Sequence, residues 1–111
     1  MANADVVRML VQSYLAQDAT TADEMIADDF TFTSPQDDHI DKATFFERCF
    51  PATTQLASHR LLDVVATDGD DVFLRYEYES LQTGHRHRNV EVHTVRAGRV
   101  VEIEVYFGGR V

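Results

Sequence analysis

The chain of 111 residues is long enough for one hydrophobic core, and we expect residues 1–111 to form a single domain. Its composition, 44% hydrophobic and 26% charged, is typical of a globular protein, and no apolar run approaches the roughly 20 residues of a membrane span. The net charge of −9 is spread along the chain and would repel phosphate backbones, which excludes nucleic acid as an expected partner.

The N-terminal sequence and the cysteine content bear on the cellular compartment. No basic start followed by an apolar stretch is present, so no secretory signal is predicted and we expect a cytoplasmic protein. The single cysteine, Cys49, cannot form an internal disulfide. Its neighbours Phe45, Phe46 and Phe50 favour a small buried hydrophobic residue over a nucleophile.

The chain begins with two predicted helices. Helix one covers residues 5–16, where an apolar stripe recurs at the i, i+3, i+4 and i+7 spacing of an amphipathic helix. The stripe consists of Val7, Leu10, Val11 and Tyr14. Asn3 or Asp5 can cap its start. A short second helix follows, because Thr21 and Glu24 have the spacing of a capping box.

A strand and a third helix are predicted next. Residues 29–34 alternate with period two, which indicates a strand, and Pro35 ends it. Residues 36–39 are polar and have turn chemistry, so a loop is expected there. Asp41 can then cap a third helix that continues through Phe50.

From about residue 55 the pattern is entirely that of strands. Four segments rich in Val, Tyr, Phe and Ile are separated by short turns that contain glycine. These segments are residues 55–67, 72–82, 86–96 and 99–107. Three successive hairpins predict an antiparallel meander, and helices collected on one face of such a sheet predict an α+β architecture.

Several segments resemble a known family. They are residues 6–14, 26–32, 34–35 and 96–107, and they are similar to SnoaL-like and ketosteroid-isomerase-like members of the nuclear-transport-factor-2-like (NTF2-like) superfamily. The resemblance implies an NTF2-like (cystatin-like) α+β roll, in which three N-terminal helices pack on a strongly curved mixed or antiparallel sheet and leave a cone-shaped pocket. It also implies a small hydrophobic ligand and a homodimer formed through the outer sheet face.

The resemblance assigns candidate roles to individual residues. In the isomerases, a tyrosine on the first helix and an acidic residue on a late strand donate hydrogen bonds to an oxyanion, and an aspartate before a proline moves the proton. Tyr14 matches the first position, and Glu91 lies at or near the second. The third position holds Ser34, which cannot do a carboxylate's work, so steroid isomerase activity is not expected. Asp37 or Asp38 could supply a carboxylate from the neighbouring loop.

Glu91 and His93 form a candidate catalytic pair. Alternate residues of a strand share a face, so both side chains point the same way as Val95. If the two side chains face the core, they must be paired, uncharged or in contact with water, because burial of an unpaired charge costs free energy. A protonated Glu91 could donate to an oxyanion, or His93 could be the base while Glu91 sets its tautomer. The other open possibility is that the pair faces outward.

Aromatic residues from several elements are expected to line the pocket. Tyr76 and Tyr78 share a strand face that is the better candidate for an interior or an interface, and His59 could reach the interior. The remaining expected lining residues are Phe30, Phe32, Ser34, Phe46 and Phe50. His85 and His87 lack a third ligand at a recognisable spacing, so no metal site is predicted. No glycine-rich phosphate cradle is present, so no nucleotide or other cofactor is predicted.

These patterns predict a small-molecule pocket protein. It would act by general acid–base chemistry as an isomerase, cyclase or hydratase on a hydrophobic compound that bears a carbonyl or hydroxyl group. Tyr14 and Glu91 would polarise the oxygen, and His93 or Asp38 would move a proton. The alternative is a non-catalytic dimeric domain that binds a ligand or a protein partner.

Overall fold

Three α-helices lie against one face of a six-stranded sheet in the computed structural model, which describes residues 1–111. The strand order is β2-β1-β6-β5-β4-β3, where β1 and β6 are parallel and all other neighbours are antiparallel. The elements are α1 (Asn3–Ala16), α2 (Ala19–Met25), β1 (Ile26–Ser34), β2 (Asp37–Asp41), α3 (Lys42–Arg48), a 3-10 helix (Phe50–Gln55), β3 (Leu56–Ala66), β4 (Asp71–Ser80), β5 (Arg86–Arg96) and β6 (Arg99–Arg110). The predicted α+β roll, with three helices on a mixed or antiparallel sheet, is confirmed, and the sheet is mixed and not closed.

The three helices form where the sequence predicts them, although two of the caps differ. Neither Asn3 nor Asp5 caps α1, whose start has no side-chain cap. The Thr21–Glu24 capping box does not form, because α2 begins earlier and Asp18 accepts from the Thr21 amide at 3.1 Å. Asp41 caps α3 as predicted, by accepting from the third helical amide at 2.9 Å. None of the helices is long and apolar enough to cross a membrane.

The segment between β1 and α3 is not the predicted loop. Residues 37–41 form the edge strand β2, which pairs antiparallel with β1 so that Ile40 lies opposite Phe32. Polar residues suit an edge strand because its outer side faces water. The third helix ends at Arg48 instead of Phe50, and the chain continues as a 3-10 helix.

The four long strands and their three hairpins are confirmed, and bulges interrupt their ladders. In β3 one residue is inserted near position 57 and another near position 62. In β6 one residue is inserted near position 101, and a second bulge contains Gly108, where a Cβ would clash with the Arg88 carbonyl oxygen, and Gly109, whose φ is +85°. Bulges bend the strand that carries them and increase its twist. The bulged strands therefore curve the sheet.

The hydrophobic core fills part of the space between the helices and the inner sheet face. It is built from Val6, Val7, Leu10, Ala22, Met25, Ile26, Phe30, Phe45, Phe50, Val72, Leu74, Tyr76, Val95, Val100, Ile103 and Val105. Each large side chain buried in this way stabilises the fold by about 1.5 to 3 kcal/mol. The strands that carry these residues extend past the core and form the walls of a cavity.

Candidate active site

A cavity of about 640 Å³ lies between the helices and the inner face of the sheet. Its volume is within the range of small-molecule sites, roughly 300 to 1,000 Å³, and most of its lining residues are hydrophobic. Nine residues singled out from the sequence line it: Tyr14, Phe32, Ser34, Phe50, His59, Tyr76, Tyr78, Glu91 and His93. They come from α1, β1, the 3-10 helix, β3, β4 and β5.

Two of the phenylalanines expected in the lining lie elsewhere. Phe30 is buried in the core, where its ring packs edge-to-face against Phe45 at 5.1 Å. Phe46 packs between Phe45 and Phe50, with centroid distances of 5.6 and 5.1 Å. Both residues therefore pack against the cavity wall without lining it, because the rings that they contact, Phe45 and Phe50, are lining residues.

Asp38 does not face the cavity, whereas Asp37 does. The side chain of Asp38 is 91% exposed and its carboxylate bonds to His39 at 2.6 Å. Side chains alternate along β2, so its neighbour Asp37 points inward, is only 10% exposed, and pairs with Arg48 at 2.8 Å. Cys49 Sγ lies 3.9 Å from Asp37. Burial and then the charge of Asp37 raise the pKa of Cys49 to about 11, so the thiol stays protonated.

Glu91 lies at the centre of a hydrogen-bond network in the cavity. The Tyr76 hydroxyl donates to Oε2 at 2.5 Å, and His93 Nε2 lies 2.9 Å from Oε1. Asn89 Nδ2 in turn donates to the Tyr76 hydroxyl oxygen at 3.2 Å. The side chain of Glu91 is 18% exposed and that of His93 is 2% exposed. Both residues of the candidate pair therefore face inward.

The network favours an ionised Glu91. Burial by itself would raise the pKa of this carboxyl group, but its hydrogen bonds with His93 and Tyr76 hold the pKa below its ordinary value. A carboxylate accepts hydrogen bonds, and both of its oxygens have partners here. A protonated Glu91 that donates to an oxyanion, one of the two predicted alternatives, does not fit this network.

Tyr14 supplies a hydrogen-bond donor to the same cavity. Its ring packs edge-to-face on Phe50 at 5.8 Å, and its hydroxyl makes no hydrogen bond within the chain. Burial and then the negative charge of Glu91 raise the pKa of Tyr14 well above its ordinary value of 10.0. The hydroxyl therefore stays protonated and is free to donate to a ligand.

Sequence reasoning missed two polar parts of the site. Asn89 alternates with Glu91 and His93 on the inner face of β5, and this spacing was the available signal. The ion pair of Asp37 and Arg48 joins β2 to the end of α3, and no local pattern indicates a contact across that turn.

The fold and the cavity together define a protein class. The features of an NTF2-like α+β domain are all present. Three helices lie over a curved, unclosed mixed sheet, and a ligand-sized cavity lies between the two layers. Residues 7–103 match the family model of the SnoaL-like domain, and the chain belongs to that family. The resemblance recognised in the sequence is thereby confirmed.

Solved structures share this fold at low sequence identity. IdmH, a "putative polyketide cyclase" from Streptomyces antibioticus, has a TM-score of 0.80 and 22% identity over 97% of this chain and 93% of its own. A "putative polyketide cyclase" from Sinorhizobium meliloti has a TM-score of 0.74 and 19% identity over 92% and 94%. An NTF2-like protein of unknown function from Cytophaga hutchinsonii has a TM-score of 0.75 and 18% identity over 96% and 90%. No curated protein matches the sequence.

Proposed function

We propose that this protein binds a hydrophobic, uncharged compound with an enolisable carbonyl group and moves a proton at the carbon next to that carbonyl. One observation carries the proposal: the carboxyl group of Glu91, with a hydrogen-bond partner on each oxygen, lines an aromatic cavity that also contains the free Tyr14 hydroxyl. Two proteins of similar fold that are described as putative polyketide cyclases support this substrate class.

The two groups have complementary roles in the proposed step. Tyr14 donates a hydrogen bond to the carbonyl oxygen, and Glu91 accepts the proton from the adjacent carbon. As the C–H bond breaks, its electron pair forms the enolate and the charge moves to the oxygen. Because the pKa of Glu91 is lowered, it is a weak base, so the step depends on stabilisation of the enolate by the donor. Return of the proton to another carbon gives isomerisation. Attack of the enolate on a second carbonyl forms a carbon–carbon bond and an alkoxide, and return of the proton from Glu91 to that alkoxide completes a cyclisation.

The charges in the cavity favour an uncharged ligand. Glu91 contributes a negative charge that would repel a carboxylate on the ligand. The one arginine in the lining, Arg48, is already paired with Asp37 and offers no uncompensated positive charge. Affinity therefore has to come from apolar and aromatic contacts and from neutral hydrogen bonds.

The proposal is tested by measuring how fast ketone α-protons exchange with deuterium in D2O. The exchange is monitored by 1H NMR on a panel that includes 1-tetralone, 2-tetralone and a cyclic 1,3-diketone. Wild-type protein should accelerate exchange of at least one ketone. Glu91→Gln should lose that acceleration by about 100-fold or more, since a positioned base contributes 10² to 10⁴ in rate. Glu102→Gln, a matched change away from the cavity lining, should keep it. Absence of acceleration across the panel would contradict the catalytic proposal.

We also propose that two copies associate through the outer face of the sheet. An apolar band crosses this face at the register row of Val65, Phe73 and Val92, and Phe73 and Val65 are exposed. Tyr106, also exposed, continues the band beside Val90. Exposed apolar surface of this kind is typical of an interface.

Charge at the two ends of the outer face indicates the orientation of the second copy. Asp71 and Glu102 lie at one end of the strands, and Glu104 lies one row further in, beside Val92. Arg60 and Arg88 lie at the other end, on either side of Glu77. A two-fold axis that lies between the sheets and is perpendicular to the strands places each acidic end over the partner's basic end. An axis parallel to the strands would place like charges together.

A further inference from the structure

His59 is directed into the cavity by irregularities in its own strand. In β3 one residue is inserted near position 57 and another near position 62. The half-buried residues of β3 are Leu56, His59, Leu61, Leu62 and Val64, at spacings of three, two, one and two, while Arg60 is exposed. Bulges that re-aim a side chain in this way are common beside active sites.

The imidazole of His59 has one blocked nitrogen and one accessible nitrogen. Its ring stacks on Tyr76, with centroids 4.7 Å apart and planes at 20°. Nδ1 is buried and has no hydrogen-bond partner. Nε2 also has no partner in the chain, but it is not among the buried atoms, and the residue lines the cavity. Nε2 is therefore the nitrogen that a ligand can reach.

The buried Nδ1 determines the protonation state of the His59 ring. A cationic imidazole would bury an N–H group of a charged ring without an acceptor, which is costly. Burial accordingly lowers the pKa of His59, although the charge of Glu91 acts in the opposite direction. In the neutral ring one nitrogen carries the proton and the other accepts. The proton belongs on Nε2, where water or a ligand can accept from it.

We propose that neutral His59 donates a hydrogen bond from Nε2 to the oxygen of the cavity's ligand, as a second donor that works with Tyr14. For the identity of that oxygen, a carbonyl that becomes an enolate, the inference rests on the proposed function. Two neutral donors stabilise an enol or enolate oxygen without adding a positive charge to the site. His59 then touches the substrate, whereas His93 holds Glu91 from behind.

The first part of the test needs no ligand and determines the tautomer of His59. Long-range 1H–15N spectra of the uniformly 15N-labelled full chain at pH 7 should show His59 as a neutral ring protonated on Nε2. The His59→Gln spectrum assigns the resonance, because only that imidazole is missing from it. A cationic ring, or a ring protonated on Nδ1, would overturn the proposal.

The ligand part uses 1-naphthol, a fluorescent aromatic enol, titrated against the full chain. His59→Phe keeps an aromatic ring on Tyr76 but has no N–H, and its Kd should rise about three- to tenfold, the loss of one neutral hydrogen bond. His59→Gln, whose amide can donate from a similar position, should stay within about twofold of wild type. Circular dichroism and thermal melting verify the fold of both variants.

Two outcomes of the titration count against His59 and leave the proposed function to its own test. One is equal or tighter binding of 1-naphthol by His59→Phe, and the other is no binding by wild-type protein. The Glu91 proposal is read separately, from ketone exchange. If Glu91→Gln keeps the exchange activity while His59→Phe still weakens 1-naphthol binding, the base assignment fails and the donor assignment stands.

Discussion

At the scale of single residues, the ionisation of Glu91 depends on its partners. The carboxylate is largely buried, and an isolated buried charge would cost several kcal/mol. Tyr76 and His93 offset this cost by hydrogen bonding to both carboxylate oxygens. Removal of one partner should therefore change the acidity of the group more than its position.

Tyr76→Phe tests this dependence. Without the Tyr76 hydroxyl, the pKa of Glu91 should rise toward its ordinary value of 4.5 or above, because burial then prevails. A base acts only above its pKa, so the low-pH limb of the exchange activity should move to higher pH. Tyr106→Phe, which removes a hydroxyl that bonds to Glu104 on the exposed outer face, should leave the pH profile unchanged. Identical profiles for wild type and Tyr76→Phe would refute the assigned role of the hydrogen bond.

The aspartate that lies at the site differs from the one predicted from the sequence. Asp38 was expected at the site and Asp37 lies there, because residues 37–41 form a strand and alternate sides. A polar run such as this resembles a loop when it is considered alone. Its strand character comes from pairing with β1, which local sequence does not reveal.

At the scale of elements, α3 connects the edge strand to the cavity wall. Asp41 ends β2 and caps α3, and the helix then supplies Phe45 and Arg48 to the lining. The cap thus sets where the helix begins and how its inner face is oriented.

Asp41→Ala should destabilise the fold by about 1 kcal/mol, because the third amide of α3 loses its acceptor. Urea unfolding measures the change as a lower midpoint with an unchanged slope. Asp41→Asn is the matched control, since asparagine caps nearly as well, and it should cost much less. Equal losses for the two variants would show that the charge, and not the cap, is what stabilises α3.

The bulges of β3 limited what periodicity could predict. The two insertions in this ladder are invisible in a pattern of alternating residues, and each reverses the face of every residue beyond it. His59 was expected to reach the interior without a defined register, and the register depends on pairing with β4. By contrast, β4 has no shift in its pairing with β5, and the predicted inward faces of Tyr76 and Tyr78 agree with its burial pattern.

At the scale of the whole molecule, half-buried His59 links stability to pH. Its folded pKa lies below its ordinary value of 6.5, so the stability it contributes is fully present above pH 6.5 and is lost as pH falls through the folded pKa. Glu91 follows the same rule below its ordinary value of 4.5. Thermal melting of wild-type protein from pH 8 to 4 should show a decrease in Tm that begins near pH 6.5. His59→Phe should lose the part of this decrease that lies just below pH 6.5, and an unchanged decrease would contradict the half-buried neutral imidazole.

The proposed dimer is also a property of the whole molecule. Phe73→Asp places a charge in the middle of the apolar band and should convert dimer to monomer, as measured by light scattering coupled to size exclusion. Leu81→Asp introduces the same charge at an exposed residue just past the end of β4, outside the outer face, and should leave the dimer intact. Salt should weaken the wild-type dimer, since the proposed orientation pairs acidic and basic ends. A wild-type monomer at all concentrations would exclude the interface.

The sequence by itself determined the three helices, the first strand, the four long strands, their hairpins and the family, because helical stripes, strand alternation and turns such as Ala97–Gly98, both with positive φ, are local properties. It also placed Tyr14, Glu91 and His93 among the candidates for the site. Only the tertiary structure decided that Asp37 replaces Asp38, that Glu91 is held as a carboxylate, and that His59 presents Nε2 to the cavity. These features depend on strand register and burial, which arise from pairing and packing between segments distant in the chain.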